Sequence, residues 1–278
     1  MIPPIASKFV AGETEATALD HARKLNERGV KAILNLLGEH YAERAEADAD
    51  ADVYIDLVDE IAAANLDACI SVKPSQVGLD FGADVFSENV TRIVDHAAAK
   101  GVFVWIDMED HTTTDDTLDV FCELARKHEG GVGLAIQANL KRTREDLARL
   151  ADVPGKIRLV KGAYDEPTEI AYKDKAAVNR AYKEYLKFMF ESFEGGIAVG
   201  SHDPEMIAYA KELHDEYGTD FEIQMLMGVR TDAQYDLADE YEMWQYVPYG
   251  DRWAQYFYRR VMERKENVLF AVRAIVGR

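Results

Sequence analysis

The sequence predicts an α/β fold, a single (βα)8 TIM-type barrel that comprises residues 1–278. Eight short runs rich in β-branched and other apolar residues alternate with longer stretches of helical periodicity. No Pro-, Gly- or Ser-rich linker and no shift of composition divides the chain, which favours one barrel over two domains. The alternative, an open doubly wound sheet, would favour fewer strands and a glycine-rich first turn.

The elements of the predicted barrel follow one another along the chain. An N-terminal lead-in segment that includes Phe9–Gly12 precedes a first helix over Glu13–Glu27, which ends at Gly29. Strands are predicted at Lys31–Leu37, Ala68–Val72, Val102–Ile106, Val132–Gln137, Ile157–Val160, Ile197–Gly200, Phe221–Met225 and Met243–Val247. Further helices are predicted at Ala45–Asn65, Phe86–Ala99, Asp115–Lys127, Arg144–Leu150, Lys173–Phe193, Pro204–Tyr217 and Asp232–Glu240, with a C-terminal helix from Asp251 over the site.

Composition narrows the classes of partner. The 278 residues include 51 acidic and 32 basic ones, and the formal charge of -19 repels nucleic acid and anionic lipid at long range. We therefore expect no nucleic-acid partner. The acidic excess also fits a halophile's salt-rich cytoplasm, where cations screen self-repulsion; an ordinary acidic protein is the alternative.

Cysteine content and the N-terminus indicate the compartment. Cys69 and Cys122 lie far apart and belong to no CxxC pair, which indicates small core residues in a reducing environment. The first residues do not resemble a signal peptide, and no apolar run is long enough to cross a bilayer. We expect a cytoplasmic protein with at most peripheral contact with the inner face of the membrane.

The stretch from Ile157 to Tyr164 changes character abruptly. A short apolar strand is followed by Gly162 and Ala163, which remove side-chain bulk between charged neighbours. We therefore expect a planar ring or a phosphate to approach this backbone closely.

Polar residues follow seven of the eight predicted strands, at the carboxyl ends where barrels of this kind carry their sites. Any one of them alone is explained by contact with solvent, but together they indicate a site. The segments that carry them are Lys73–Gln76, Asp107–His111, Gln137, Lys161–Ala163, Ser201–Asp203, Gln224 with Leu226, and Tyr246–Gly250.

Other chemistries compete for these residues. Asp107, Glu109 and His202 would suit a metal-dependent hydrolase, but no HxH or HExxH spacing supports one, and we predict no metal. Lys73 and Lys161 would suit Schiff-base nucleophiles, although the small residues after Lys161 favour a close ligand instead. The phosphate-binding patterns GxGxxG and GxxxxGK[ST] are absent from the chain.

Two adjacent arginines mark the predicted C-terminal helix. Arg260 lies three and four residues after Phe257 and Tyr256, on the apolar side of that helix, and Arg259 precedes it. One interpretation is an ion pair with Glu263, which would contribute a few tenths of a kcal/mol, roughly. The other is a pair of guanidinium groups that binds a carboxylate in bidentate fashion.

Five motifs in chain order together resemble the monofunctional proline dehydrogenase family. They are Phe9-Val10-Ala11-Gly12-Glu13-Thr14, Ser71-Val72-Lys73-Pro74-Ser75, Ile106-Asp107-Met108-Glu109, Arg158-Leu159-Val160-Lys161-Gly162-Ala163-Tyr164 and Arg259-Arg260-Val261-Met262-Glu263. The resemblance implies a (βα)8 flavoenzyme with non-covalent FAD that oxidises L-proline to 1-pyrroline-5-carboxylate by hydride transfer to flavin N5. It also implies a quinone as the electron acceptor and a pathway link to a pyrroline-5-carboxylate dehydrogenase.

The resemblance assigns roles to individual residues. Lys73, Arg259 and Arg260 would bind the proline carboxylate, and Tyr246 would pack against the proline ring. Asp107 would hold Lys73 in place, Arg158 would hydrogen-bond near flavin N5, and Glu263 would pair with an arginine of the clamp. The cofactor would contact Met108, Gln137, Lys161, Gly162, Ala163, Ser201, His202, Gln224 and Leu226.

Some positions depart from the family pattern. Asn139 stands where an aromatic residue is usual, and Gly200-Ser201-His202 replaces the more usual Ala-Thr-His. Serine retains the hydroxyl donor. The chain also begins almost directly at Phe9, without the helices that often precede this motif. A non-enzymatic barrel that senses flavin or proline remains the alternative function.

Overall fold

Eight parallel strands close into a barrel in the order in which they occur along the chain. The computed structural model describes residues 2–3, 6–254 and 256–258. The strands are β1 (Lys31–Leu36), β2 (Ala68–Val72), β3 (Val104–Ile106), β4 (Val132–Gln137), β5 (Lys156–Val160), β6 (Ile197–Gly200), β7 (Phe221–Leu226) and β8 (Glu242–Tyr249). Pairing of β8 with β1 closes the barrel, with Tyr246 beside Ile33. The predicted fold class is confirmed, and the open sheet was wrong.

Helices cover the outside of the barrel. They are α1 (Glu15–Asn26), α2 (Arg44–Ala64), α3 (Ala83–Lys100), α4 (Thr114–Lys127), α5 (Thr143–Leu150), α6 (Lys175–Ser192), α7 (Pro204–Tyr217) and α8 (Thr231–Ala238). Side chains cap several of them: Thr14 accepts from the backbone of Thr17 at the start of α1, and Asp203 accepts from Glu205 at the start of α7. Gly218 ends α7 in the left-handed conformation that glycine adopts readily.

Local turns shift the predicted boundaries by a few residues. Helix α3 begins at Ala83 rather than at Phe86, because a short 3-10 helix, Leu79–Phe81, leads directly into it. Gly82 joins the two with a φ of 130°, which glycine tolerates and other residues do not. A second 3-10 helix, Ala6–Lys8, lies within the lead-in segment. Neither short helix was predicted.

Side chains alternate between the barrel interior and the helical layer, with the period of two that strands impose. Leu34 packs outward in the main core beneath the helices, whereas Ile33, Trp105 and Ala198 form a separate cluster inside the barrel. A Cβ on Gly133 would lie 2.5 Å from the Trp105 ring. The glycine of β4 therefore makes room for the indole that fills this part of the interior.

The lead-in segment and the last described residues meet beside the carboxyl end of β8. The amide of Ala11 donates to the Pro248 carbonyl at 2.9 Å, and the amide of Gly250 donates to the Gly12 carbonyl at 2.9 Å. Tyr256 is buried in a small cluster with residues of the lead-in segment. Residues 253–254 and 256–258 are helical, as predicted for the start of the C-terminal helix.

The predicted residues Arg259, Arg260 and Glu263 lie outside the described residues. Among the helices that the structure describes, none is both long and apolar enough to cross a membrane.

Candidate active site

The carboxyl ends of β1 to β8 form a rim, which we call the mouth of the barrel. Asp107 lies at this mouth and bonds side chains from several strands. It follows β3 directly, and its amide donates to the Val72 carbonyl at 2.9 Å. Its Oδ1 accepts from the Ser71 hydroxyl at 2.7 Å and also contacts Arg158, while its Oδ2 accepts from the Tyr246 hydroxyl at 2.7 Å. One carboxylate thus joins β2, β3, β5 and β8.

Arg158 projects from β5 into the barrel and is 5% exposed. Its Nη2 pairs with Asp107, and its Nη1 donates to Gln224 Oε1 at 3.0 Å. The guanidinium carbon lies 4.9 Å from the centroid of the Trp105 ring, within range of a cation–π interaction. Its Nε has no hydrogen-bond partner in the part of the chain that the structure describes. The result is a buried positive charge in a fixed orientation with one spare donor.

Tyr246 lines the same mouth. Burial raises the pKa of its phenol well above the usual value, and the neighbouring Asp107 charge adds to the shift. The hydroxyl therefore stays protonated and remains a donor to Asp107 at any physiological pH.

Lys73 has a different partner from the one predicted. We expected Asp107 to hold it, but its Nζ lies 3.5 Å from Oε2 of Glu39, and both side chains are largely buried. The described bonds to the Asp107 carboxylate come instead from Ser71, Arg158 and Tyr246. Glu39 follows β1, the only predicted strand to which no polar residue was assigned at its end. Its position after a strand could therefore have identified it as a residue of the mouth.

Glu109 forms hydrogen bonds that connect the carboxyl ends of β2, β3 and β4. Its carboxylate accepts from the amide and the hydroxyl of Ser75 at 2.6 and 2.7 Å, and its carbonyl accepts from Gln137 Nε2 at 2.8 Å. Burial raises its pKa, while the bonds from Ser75 oppose the shift.

Within the described residues no group of three or more His, Cys, Asp or Glu side chains is arranged to hold a metal. The alternative of a metal site at Asp107, Glu109 and His202 therefore finds no support there.

Lys161 and the residues after it border a cavity of about 340 Å³ at the ends of β4 and β5. Lys161 Nζ donates to Asn179 Oδ1 at 2.7 Å and to Asp203 Oδ2 at 2.6 Å. Partial burial tends to raise the pKa of Asp203, but the bonds and charge of Lys161 and the bond from the Glu205 amide together outweigh burial, and the pKa is lowered. The lysine charge is thereby held at the cavity wall.

Gly162 has a structural reason to be glycine. Its φ is 105°, and a Cβ there would lie 2.1 Å from Oδ1 of Asn139. Asn139, which departs from the family pattern, thus packs against the bare backbone of Gly162. Its own Oδ1 is buried without a hydrogen-bond partner among the described residues.

The remaining predicted cofactor residues lie on the neighbouring part of the mouth. Ser201 Oγ accepts from the amide of Asp203 at 3.2 Å, and the amide of Leu226 donates to His202 Nε2 at 3.4 Å. The His202 carbonyl accepts from Arg230 at 2.7 Å. Met108 and Ser201 are each 6% exposed. The predicted ring of residues therefore follows consecutive strand ends.

Sequence comparison finds similar proteins over nearly the whole chain. A family model described as "Proline dehydrogenase" matches residues 18–273. Proline dehydrogenase 1 of Bacillus subtilis is 35% identical over 275 residues, which cover 98% of this chain and 90% of the relative. The proline dehydrogenase of Deinococcus radiodurans is 38% identical over 282 residues, with the same two shares of 98% and 90%.

Solved structures share the fold. The crystal structure of proline utilization A from Bdellovibrio bacteriovorus, inactivated by N-propargylglycine, superposes with a TM-score of 0.87 at 24% identity. The match covers 94% of this chain and 32% of that one, so this chain spans about a third of that larger protein.

Proposed function

This chain belongs to the proline dehydrogenase family, and on that premise we propose that it oxidises L-proline to 1-pyrroline-5-carboxylate with non-covalently bound FAD. The observation that carries the proposal is the placement of Arg158, a buried cation held between Asp107 and Gln224 with its Nε unpartnered by any described residue. A fixed charge of this kind suits a site where charge develops during a reaction.

Three features support FAD as the cofactor. Arg158 Nε is a spare buried donor, and Asn139 Oδ1 is a spare buried acceptor, in each case among the described residues. The cavity beside Lys161 is bordered by Gly162 and Ala163, and the lysine would offset the charge of a pyrophosphate. FAD supplies the hydride acceptor, and the protein supplies binding, orientation and electrostatics. The residues proposed to hold it are Met108, Gln137, Lys161, Gly162, Ala163, Ser201, His202, Gln224 and Leu226.

The substrate is proposed to bind through its carboxylate. Lys73 is held at the mouth by Glu39, and Arg259 and Arg260 would complete the clamp, with Glu263 paired to one of them. Tyr246 would pack against the ring of proline, and its hydroxyl is already directed to Asp107. Such a clamp would orient the carbon next to the substrate nitrogen for hydride loss.

The wider context is proposed on the same basis. Proline oxidation would be the first step of proline catabolism to glutamate, with electrons passed on to a quinone and the product to a pyrroline-5-carboxylate dehydrogenase. The charge of -19 argues against a nucleic-acid partner. We propose a cytoplasmic location with at most peripheral contact with the membrane.

Product identification tests the proposed activity. Protein loaded with FAD is incubated with L-proline and a soluble quinone analogue, and the products are examined by mass spectrometry. We expect 1-pyrroline-5-carboxylate, which is proline less two hydrogen atoms, together with reduced quinone. In Arg158→Met the rate should fall by about a hundredfold, because a preorganised donor of this kind accounts for several kcal/mol of barrier, roughly. Unchanged proline after incubation with the wild-type protein would contradict the proposal.

A further inference from the structure

A chain of alternating charges and dipoles runs inside the barrel from its mouth to the opposite end. Arg158 Nη1 donates to Gln224 Oε1 at 3.0 Å, Gln224 Nε2 donates to Glu222 Oε1 at 2.6 Å, and Lys156 Nζ donates to Glu222 Oε2 at 2.5 Å. Lys156 is the first residue of β5 and is partly exposed, so the chain ends near solvent at the amino-terminal end of the barrel.

Strands β5 and β7 are not neighbours, and small residues on β6 allow their side chains to meet. Arg158 is in register with Ala198, which is in register with Glu222. Gly200 stands beside Gln224, and a Cβ there would lie 3.1 Å from Cγ of Arg158. Side chains from both flanking strands therefore reach one another over the bare surface of β6.

The ionised carboxylate of Glu222 determines which way the Gln224 amide faces. A carboxylate only accepts hydrogen bonds, so the amide must turn its NH2 group toward Glu222. Its oxygen is then directed to Arg158, whose guanidinium only donates. With the amide reversed, NH2 would face guanidinium and oxygen would face carboxylate, and both contacts would be repulsive.

Lys156 maintains the charge on Glu222. Glu222 is 3% exposed, and burial raises its pKa, an effect that the pairing with Lys156 opposes. On the lysine side, burial tends to lower the pKa, but the attraction of Glu222 prevails and raises it. The pairing thus offsets the cost of burying the charge of Glu222.

We propose that Glu222 is a positioning residue for the reaction: by fixing the Gln224 amide it holds Arg158 in the orientation that acts on the flavin. The inference rests on the proposed function of Arg158. It assigns a role in the site to a residue near the amino-terminal end of the barrel, where polar residues generally serve stability.

Two substitutions of Glu222 separate the effect of its charge from the effect of its side-chain length. Glu222→Gln keeps the length but removes the charge that selects the amide orientation. Glu222→Asp keeps the charge near Lys156 but withdraws the carboxylate from Gln224 by one methylene. The matched control is Glu242→Gln, at the same end of the barrel, because Glu242 bonds Lys31 at 3.1 Å and Trp244 at 2.8 Å and has no described bond to Gln224.

The experiment uses FAD-loaded protein and stopped-flow reduction by L-proline without oxygen. It reports the limiting rate constant of flavin reduction and the Kd for proline, and the visible circular dichroism of the oxidised flavin is recorded before substrate is added. For both Glu222 variants we expect the limiting rate to fall about tenfold, as for a misplaced reacting group, with the Kd for proline within about twofold. The flavin dichroism should change as well, and Glu242→Gln should leave all three quantities near the wild-type values.

The outcomes that overturn the inference are distinct from failure of the proposed function. Wild-type limiting rates and flavin dichroism in both Glu222 variants would overturn it, as would loss of folding in both, since the role would then be structural. An equal loss in Glu242→Gln would also overturn it, because a general field effect would explain the result. If proline fails to reduce wild-type flavin, the proposed function fails, and the dichroism still reports whether Glu222 orients the cofactor site.

Discussion

The hydroxyl of Tyr246 donates to Oδ2 of Asp107 at 2.7 Å, across the barrel from β8 to β3. In Tyr246→Phe this partly buried carboxylate oxygen loses its donor, so we expect unfolding to require about 1 kcal/mol less free energy. Flavin reduction by proline should slow about tenfold as Asp107 and Arg158 lose a fixed neighbour. Denaturant titration and stopped-flow absorbance measure the two effects.

Tyr249→Phe is the matched control for this prediction. Tyr249 is on the same strand and fully buried, but its hydroxyl has no hydrogen-bond partner among the described residues. Because a buried unpaired hydroxyl is costly, its removal should leave stability unchanged or raise it slightly. Equal destabilisation by both substitutions would show that the Asp107 contact has no special weight.

Lys161 is expected to contribute to FAD affinity through its charge at the cavity wall. In Lys161→Gln we expect the Kd for FAD to rise about tenfold at moderate salt, because an ion pair with the pyrophosphate would be lost. The control is Lys183→Gln. Lys183 of α6 forms an ion pair of 2.7 Å with Glu205 of α7 near the protein surface, and the substitution removes it. Fluorescence titration of the apoprotein with FAD measures both, and equal affinities in the two variants would contradict the role of Lys161.

Glu109 should make stability depend on pH. Burial raises the pKa of Glu109 in the folded state. The protonated side chain therefore contributes to the free energy of unfolding in full below the pKa of the unfolded state, and this contribution is lost as the pH rises through the pKa of the folded state. Glu109→Gln abolishes this loss, so the stability of the variant relative to wild type should increase as the pH rises from about 4 to about 7.

Urea titrations at the two pH values measure the effect. Glu88→Gln, at an exposed position, should change stability by less than about 0.5 kcal/mol at either pH. A relative stability of Glu109→Gln that falls with rising pH would reverse the sign and refute this assignment.

The rate of flavin reduction should also rise with pH. Hydride can leave the carbon beside the substrate nitrogen only when that nitrogen is neutral, so the reactive fraction of proline grows as the solution becomes more alkaline. Stopped-flow reduction measured from about pH 6 to about pH 10 tests this, and a flat profile would contradict it.

Much of the fold was predictable because strand and helix periodicities differ along this chain. The run Ile157–Val160 is too short and too rich in β-branched and other apolar residues for a helix, and the eight-fold alternation then leaves few topologies. Helix starts were less predictable. Helix α3 begins at Ala83 because Gly82 accepts a φ of 130°, a property of the backbone that hydrophobic periodicity does not reveal.

The partners within the site were harder to predict than its members. Lys73 was expected beside Asp107, but the pairing with Glu39 depends on how two loops lie at the mouth. Likewise, Arg158 of β5 reaches Gln224 of β7 only because β6 carries small residues at the intervening register positions. Contacts of this kind depend on strand register and on distances across the barrel, which no local pattern in the sequence encodes.

The most direct test of the central claim is the absorption spectrum of the purified protein, in high salt with FAD supplied, before and after L-proline is added without oxygen. We expect the oxidised flavin band to be present at first and to disappear on addition of proline, which would establish cofactor and substrate together. A band that persists would mean a flavin-binding barrel with another electron donor or a sensor. Absence of any band would contradict the proposal that the protein is a flavoenzyme and would favour Schiff-base chemistry at Lys73 and Lys161.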